Sequence, residues 1–500
     1  MVLLEAEVHS SLLGYLRTHN RSNWIHHLTM ARIVSRALRL QRSALIQTGS
    51  TSSRYNVSYL TPALLTDSPL ILVVPEFLQE KLLQVDIPQL QEWLESDKSI
   101  YAGDRWPFPE FDGVMVTSPQ AWLSDRVEKK GYFPPDIPTL IEGANELEEW
   151  ARTYLTVSIV SQDWNNLIDR CCAQAEFIRD VRVKLTKEIF NRPKNPYECY
   201  LIEQYEKDLL QDLCDLIASE IEENSPFVEF CRQSETENQI LWISVDREKG
   251  QFTLHSSPVK VADDLRPIWQ QQPIVFMGGF LDSEKEATIY RQKLGIGDLL
   301  CLKFNPNRSS EYIHLYLPAR LPLPNTPEFK TVLIQQTYRL VSLCYHIERP
   351  IVIVVDDVPL KAQVGSVLAA EFGSRVVVER QELEKNAILV CGWNFWHQNQ
   401  ELFPTPQLLV IATLPIPSPE NPLVAAQVTY YKNQRQDWFR VYLLPTALKE
   451  IQRAVMPLRE SQGVVALLDS RVNFRSYGTQ ILTALEPYAG MNYIDNDWFF

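Results

Sequence analysis

The 500-residue sequence lacks several features that define common classes of protein. It has no apolar run long enough to span a membrane, and no basic segment precedes an apolar stretch at the N-terminus. We therefore expect neither a membrane contact nor a signal peptide. The eight cysteines include no C-x-x-C pair, which favours reduced, mostly buried thiols in a cytoplasmic protein and no metal site. The net charge of −14 excludes a globally basic nucleic-acid binder, although local basic stretches remain compatible with it.

Lysine is absent before Lys81, and glycine is scarce where a nucleotide loop would be expected. The apolar run 44–46 predicts a buried strand, the small polar residues 48–53 predict a loop, and a helical pattern follows. Strand, loop and helix in this order form the frame of a phosphate cradle. A Walker loop also needs a G-K-[ST] ending, whereas here Gly49 is the one glycine and Arg54 the one basic residue. An ordinary surface loop is an equally good interpretation.

Continuous apolar runs alternate with helical patterns along most of the chain. Residues 70–75, 113–117 and 139–141 predict buried parallel strands of a first α/β region. Residues 151–235 predict long helices, and residues 240–256 predict a β-hairpin. Beyond a proline-rich linker, we predict the strands of a second α/β region at 351–355, 375–378, 388–390, 408–412, 440–443 and 464–468.

Several stretches keep the order of a known set of motifs. Residues 133–152 (FPPDIPTLIEGANELEEWAR) resemble the segment around a DEAH box, and residues 273–281 (PIVFMGGFL) resemble P-V-I-L-T-S-A-T-L. Residues 392–422 resemble S-F-W-E-G-V-D followed by L-P-F-x-x-P-x-x-P. Residues 441–477 resemble L-P-x-A followed by Q-x-x-G-R-x-I-R. With residues 44–63 in the position of motif I, the chain resembles the DinG/XPD-type branch of the superfamily two helicases.

This resemblance implies an α/β fold of two RecA-like, P-loop NTPase-like parallel-sheet lobes, with a helical insertion in the first. It also implies an ATP-dependent DNA helicase that binds ATP with Mg²⁺ and nucleic acid. The predicted boundaries are 1–150 for the N-terminal part of the first lobe, 151–235 for a reduced arch-like insertion, 236–316 for completion of that lobe, and 317–500 for a helicase C-terminal-like lobe.

Departures from the family pattern fall on the residues that hydrolysis needs. At the DEAH box the aspartate is Glu142, the catalytic glutamate is Gly143 and the histidine is Asn145. The arginine expected to reach the γ-phosphate falls on Met456. Such an arginine is worth roughly 10³–10⁵ in rate where it acts. We therefore expect no intact catalytic residue, and whether the chain is an enzyme stays open.

The resemblance also carries binding positions onto this chain. Its nucleotide-binding candidates are Thr48, Gly49, Ser50, Thr51, Arg54, Gln452 and Arg459. Its nucleic-acid candidates are Trp393, Phe395, Trp396 and Arg453. The alternative for the aromatic residues is a place in a lobe core, and the alternative for the arginines is a structural ion pair.

The residues themselves predict no cofactor. The family's iron–sulfur cluster is expected to be absent because no cysteine precedes Cys171, and ATP with Mg²⁺ rests on the resemblance alone. The predicted function is a non-hydrolysing pseudo-helicase that binds single-stranded nucleic acid or a protein partner in the cleft between its lobes. The alternatives are a residual ATP-binding or weakly active helicase, and a protein scaffold with no nucleic-acid contact.

Overall fold

The computed structural model describes residues 3–19, 24–50, 52–217, 225–236, 238–308, 310–344, 346 and 348–493. Within them, the strands form two seven-stranded parallel sheets and a four-stranded antiparallel sheet. Alternate residues of a parallel strand pack into different cores, so that Ala44 and Ile46 lie on one face and Leu45 on the other. Burial on both faces explains the continuous apolar runs of the sequence.

The first stretch of the chain builds most of the first parallel sheet and its helices. In chain order, its elements are α1 (Leu4–Thr18), α2 (Trp24–Leu40), β1 (Ala44–Gln47), α3 (Asn56–Leu65), β2 (Leu70–Val73), α4 (Glu76–Lys81), α5 (Ile87–Leu94), β3 (Ile100–Ala102), β4 (Val114–Thr117), α6 (Pro119–Glu128), β5 (Thr139–Glu142) and α7 (Leu147–Leu155).

An insertion with its own core follows. Its elements are β6 (Val157–Ile159), α8 (Ser161–Arg170), α9 (Ala175–Asn191), β7 (Cys199–Leu201), α10 (Gln204–Ile217), α11 (Pro226–Ser234), β8 (Gln239–Asp246) and β9 (Gln251–Pro258). The small sheet has the order β6-β9-β8-β7. The predicted hairpin is present as β8 and β9, but it belongs to this sheet. The predicted end of the insertion at residue 235 is therefore too early.

The chain then returns to the first sheet through α12 (Ala262–Trp269), β10 (Ile274–Gly278), α13 (Thr288–Leu294) and β11 (Leu300–Lys303). The completed order is β11-β1-β10-β5-β2-β4-β3. Because β10 lies between β1 and β5 and all three run parallel, the residues that follow these strands meet at one edge of the sheet. Crevices at the carboxyl ends of strands are where open α/β sheets bind ligands.

The second lobe holds the other parallel sheet, in the order β14-β15-β13-β16-β17-β12-β18. Its elements are β12 (Ile313–Tyr316), α14 (Pro327–Leu343), β13 (Ile351–Val354), α15 (Val358–Phe372), β14 (Val376–Val378), β15 (Ile388–Cys391), α16 (Trp393–Asn399), β16 (Leu408–Ile411), α17 (Pro422–Asn433), α18 (Leu444–Ser461), β17 (Val464–Leu467), α19 (Arg471–Phe474), α20 (Gly478–Leu485) and β18 (Tyr488–Met491). Two parallel-sheet α/β lobes with a largely helical insertion confirm the predicted fold class.

Three predictions about local structure are wrong. Residues 440–443 form a π-helical turn leading into α18, not a strand. Residues 313–316 were assigned to the first lobe, but β12 pairs with β17 and β18 of the second sheet. Cys214 and Cys231 were expected to be reduced, but they form a disulfide that joins α10 to α11, with a Cα–Cα distance of 5.7 Å.

Candidate functional site

The loop after β1 turns its first amides towards the neighbouring strand β10. The Thr48 N–H donates to the Gly278 carbonyl (2.8 Å), and the Gly49 N–H donates to the Gly279 carbonyl (2.7 Å). A phosphate cradle presents amides of this kind to its ligand. The amides of Thr48 and Gly49 already donate hydrogen bonds within the protein, so they are not available to an anion. Thr51, another predicted member of the loop, lies outside the described residues.

Met456 closes the space between the lobes directly above this loop. A Cβ atom on Gly279 would lie 2.6 Å from the Ser50 carbonyl oxygen and 2.9 Å from Met456 Cε. Contacts that short do not occur, so a glycine at position 279 is what allows the loop, β10 and α18 to approach this closely. The thioether of Met456 therefore fills the place where the resemblance expects an arginine.

Two other glycines also lie against close neighbours. A Cβ on Gly278 would lie 2.9 Å from both the backbone nitrogen and Oδ1 of Asn145. Gly143 has a φ of 76°, and a Cβ there would lie 3.1 Å from both Pro75 and Trp150. A hydroxyl residue at 278 or a glutamate at 143 would therefore require the surrounding residues to move.

Glu142, at the end of β5, is 4% exposed. Burial raises the pKa of this carboxyl well above its ordinary value, and the charge of Glu401 raises it further, against a lowering contribution from the Gly143 N–H. The shift favours the neutral acid over the carboxylate. A neutral acid is a poor ligand for Mg²⁺.

The raised pKa of Glu142 has a testable consequence for stability. A folded-state pKa above the unfolded value near 4.5 gives a contribution that is fully present below pH 4.5 and is lost as the pH rises towards the folded pKa. In that window the wild type should lose up to about 1.4 kcal/mol per pH unit relative to Glu142→Gln. Thermal unfolding of both proteins between pH 5 and 8 measures this difference. If the stabilities of the two proteins changed in parallel with pH, Glu142 would be ionised in the folded state.

Arg54 is held by acidic residues and not presented to a ligand. It forms ion pairs with Glu311, which precedes β12, and with Glu460 at the end of α18, the latter at 3.4 Å. The Arg54 side chain is 16% exposed and that of Glu311 is 7% exposed. This arginine therefore links the loop after β1 to the second lobe. Carboxylates within the protein, and not a bound phosphate, balance its positive charge.

Gln452 and Arg459 of α18 bind the backbone that leads into β18. Gln452 Nε2 donates to the Ala484 carbonyl (2.6 Å). The Arg459 guanidinium donates to four carbonyl oxygens at 2.9–3.2 Å, those of Glu311, Leu485, Glu486 and Pro487. Burial lowers the pKa of Arg459 to about 10, and the charge of Glu311 opposes that shift. Both predicted nucleotide-binding side chains therefore have structural partners.

Arg453, a predicted nucleic-acid contact, forms an ion pair between the lobes. Its Nη1 lies 2.8 Å from Glu146 Oε1, and its Nη2 donates to the His397 carbonyl at 3.0 Å. Lys449, one turn earlier on α18, lies 3.9 Å from the same Glu146 oxygen. Although burial opposes it, these two charges lower the pKa of Glu146. Glu146 is therefore part of a network of charges that joins the two lobes.

The predicted base-stacking aromatics lie in the second lobe's core. Trp393 is 5% exposed, Trp396 is fully buried, and Phe395 is a partly buried neighbour of the same core. Base stacking needs an aromatic face open to the ligand. The structure therefore contradicts the proposed stacking role of the two tryptophans, because the short helix α16 turns them inward.

Two clefts open between the lobes, and Gly279, Phe280 and Met456 line both. The front cleft has a volume of about 410 Å³, and its lining includes Ser50, Glu76, Phe77, Gln400, Glu401 and Arg453. The rear cleft has a volume of about 490 Å³, and its lining includes Gly49, Lys303, Arg308, Gln452 and Arg459. Of the predicted binding positions, these clefts are lined by Gly49, Ser50, Gln452, Arg453 and Arg459, whereas the three aromatic residues belong to the second lobe's core.

The sequence did not single out Glu146, Glu311 or Gln400 as members of this interface. The sequence does carry a signal for one side of this interface. Lys449, Arg453 and Met456 are separated by four and three residues, so they share a face of α18. Nothing comparable marks Glu311, which precedes a strand and finds its partners far along the chain.

Within the described ranges, no group of three or more His, Cys, Asp or Glu side chains is arranged to hold a metal ion. The search for helices long and apolar enough to cross a membrane likewise found none in the described part of the chain.

Comparisons with known proteins bear on this arrangement. A helicase C-terminal domain family matches residues 403–488, which include α17, α18 and β17. The ATP-dependent DNA helicase YoaA of Escherichia coli is 24% identical over 252 residues, covering 47% of this chain and 39% of that protein. The 3'-5' exonuclease DinG of Bacillus subtilis is 20% identical over 448 residues, covering 82% of this chain and 46% of that protein. Each match thus spans less than half of the curated relative.

The fold gives an independent comparison. A solved structure of apo XPD is similar to this chain with a TM-score of 0.63 and 14% identity, covering 93% of this chain and all of that one. At this identity the likeness concerns the fold, which is that of two RecA-like lobes. The chain is thus similar to YoaA and DinG in sequence and to XPD in fold, and residues 403–488 match the helicase C-terminal domain family.

Proposed function

We propose that this chain is a helicase-like protein that does not hydrolyse ATP and that acts by binding a partner at the interface between its lobes. The observation that carries the proposal is the contact of Met456 with Gly279 beside the Ser50 carbonyl. An apolar side chain occupies the gap into which a helicase of this family is expected to place an arginine. This packing supports the loss of the nucleotide site as a whole, and not only the loss of one residue from it.

The chemical state of the side chains around the site also supports the absence of hydrolysis. Phosphoryl transfer depends almost entirely on positioning and on stabilising the charge of the transferred group. Here Glu142 is buried and favours its neutral form, Gly143 has no side chain to orient water, and Arg54 and Arg459 are bonded within the protein. Each loss alone would slow hydrolysis, and together they remove the means of stabilising the transition state.

The second candidate is residual nucleotide binding without turnover. It is favoured by the rear cleft, which lies beside Gly49 and is lined by Lys303 and Arg308. Against it, Lys303 Nζ already donates to the carbonyls of Asp282 (2.9 Å) and Ser283 (2.7 Å). Titration calorimetry with ATP and Mg²⁺ distinguishes the two, since the first candidate predicts no heat of binding.

The proposal predicts no ATPase activity stimulated by nucleic acid. Purified protein given ATP, Mg²⁺ and single-stranded DNA should release phosphate no faster than a protein-free control. Glu142→Gln is the matched variant, because it changes one atom of the former Mg²⁺ ligand. Stimulated phosphate release that disappears in Glu142→Gln would show that the site is active and would refute the proposal.

A further inference from the structure

The positive charge of this chain is concentrated in its N-terminal segment. Between Glu7 and Asp67 the sequence has seven arginines and no aspartate or glutamate, although the whole chain has a net charge of −14. The remainder of the chain is therefore even more acidic than the total suggests. A surface of one sign attracts a surface of the opposite sign, so this separation of charges favours a contact between the two regions.

Three of these arginines lie along one face of α2. Arg32, Arg36 and Arg39 are separated by four and three residues, which places them in a row on the helix, and all three are exposed. Arg39 Nη2 lies 2.7 Å from Glu5 Oε1 of α1. Arg32 and Arg36 form no ion pair with any described residue. We call this row the basic stripe.

Helix α10 of the insertion carries carboxylates at the same spacing. Asp208, Asp212 and Asp215 are also separated by four and three residues, and all three are exposed. The hydrogen bonds to them come from neutral amides, with Gln204 Nε2 donating to Asp208 at 2.8 Å and Gln211 Nε2 donating to Asp215 at 3.0 Å. Within the described ranges no cation pairs with these three carboxylates. We call this row the acidic stripe.

The two stripes belong to different parts of one molecule. Helix α2 packs on α1, α3 and β1 in the core of the first lobe, whereas α10 packs on α9 and α11 in the core of the insertion. Because both rows of charges are exposed in the folded chain, neither covers the other. The acidic stripe that matches the basic stripe is therefore available on another copy of the chain.

The apolar residues beside the stripes match as well. Leu40 directly follows the last arginine of the basic stripe, Leu216 directly follows the last aspartate of the acidic stripe, and both leucines are exposed. If the helices lie side by side in parallel, three arginines face three aspartates and the two leucines meet. A single exposed ion pair contributes little, so this contact needs the whole row of charges and the apolar contact together.

We infer that the basic stripe of one molecule binds the acidic stripe of a second copy of this chain. The inference goes beyond the proposed function, since neither stripe lines a cleft between the lobes. Its partner is defined by three carboxylates at helical spacing, which α10 provides. Binding of nucleic acid to the basic stripe is the competing explanation for the same charges.

The test is sedimentation velocity with the full chain, over a concentration series at low and at high salt. One variant reverses two arginines (Arg32→Glu/Arg36→Glu), and the other reverses the two aspartates that would face them (Asp208→Arg/Asp212→Arg). Arg39 is left intact because it pairs with Glu5. The wild type should associate at low salt and less at high salt, because ions screen exposed charges. Each variant alone should associate at least about tenfold more weakly, because like charges then face each other.

A mixture of the two variants should recover the association, since the reversed α2 of one variant then faces the reversed α10 of the other. A misfolded variant could not give this recovery. The control Lys330→Glu/Arg339→Glu changes the net charge by the same amount as the first variant, at exposed positions of α14 in the second lobe. It should associate like the wild type.

A wild type that stays monomeric at low salt would overturn the inference. In that case, a labelled oligothymidine that binds the wild type but not Arg32→Glu/Arg36→Glu would assign the basic stripe to nucleic acid. Association that persists in either variant, or a mixture that associates no better than the separate variants, would also overturn the inference, because the contact would then lie elsewhere on the molecule.

Discussion

Replacing Arg459 with alanine should lower the free energy of unfolding of the second lobe by about 3–5 kcal/mol. The guanidinium is the common donor to four backbone carbonyls. Three of them hold the end of α20 and the entry to β18 against α18, and the fourth, that of Glu311, lies just before β12. Alanine removes this donor from the four carbonyl oxygens, and a buried acceptor without a partner lowers the stability of the folded state. Denaturant unfolding followed by tryptophan fluorescence measures the loss.

Arg459→Lys separates this role from a nucleotide contact. A single ammonium cannot reach four carbonyls in a fixed fork, so lysine should recover only a small part of the lost stability. If Arg459 instead served only to bind a nucleotide, both variants would unfold like the wild type, and only nucleotide-dependent properties would change. That result would contradict the structural role assigned here.

Replacing Arg54 with alanine should destabilise the protein by about 2–4 kcal/mol. The substitution removes the guanidinium that pairs with Glu311, whose side chain is 7% exposed, and weakening the neutralisation of a buried carboxylate is unfavourable. It also removes the ion pair to Glu460, which ties the loop after β1 to the second lobe. Thermal or denaturant unfolding reports the change.

A double-mutant cycle tests the cause of that loss. In a Glu311→Gln background, Arg54→Ala should cost much less, because the carboxylate that Arg54 neutralises is already absent. Glu460→Ala should cost less than about 1 kcal/mol, since the Glu460 side chain is 53% exposed. If Arg54→Ala cost the same in both backgrounds, the stabilisation would not come from Glu311.

The sequence was a good guide wherever local pattern decides structure. Continuous apolar runs at 44–46, 70–75 and 351–355 predicted buried strands because successive residues of each strand pack into two different cores. The order of the motifs predicted two lobes. Residues 440–443 were read as a strand because an apolar tetrapeptide is ambiguous, and the structure places them in a turn that continues into α18.

The functional positions were harder to predict because their partners are distant in sequence. Arg453 and Glu146 are 307 residues apart, and Arg54 and Glu311 are 257 apart. No periodicity links such residues, so an arginine that forms an ion pair cannot be told by pattern from one that binds phosphate. Trp396 likewise lies on a seven-residue helix, too short for its pattern to show which face is buried.

Residues that depart from the family pattern contact one another. Glycine at 279 accommodates Met456, glycine at 278 accommodates Asn145, and glycine at 143 accommodates Trp150. Restoring a single family residue would thus create a clash before it created a function. For this reason we do not expect Met456→Arg or Gly143→Glu alone to restore turnover.

The most direct test of the absence of hydrolysis is a single-turnover assay with protein in excess over labelled ATP, in the presence of Mg²⁺ and single-stranded DNA. This format detects even one slow round of cleavage per site. We predict that ADP forms no faster than in buffer, in both the wild type and Glu142→Gln. ADP formation above the buffer rate in the wild type, abolished in Glu142→Gln, would contradict it.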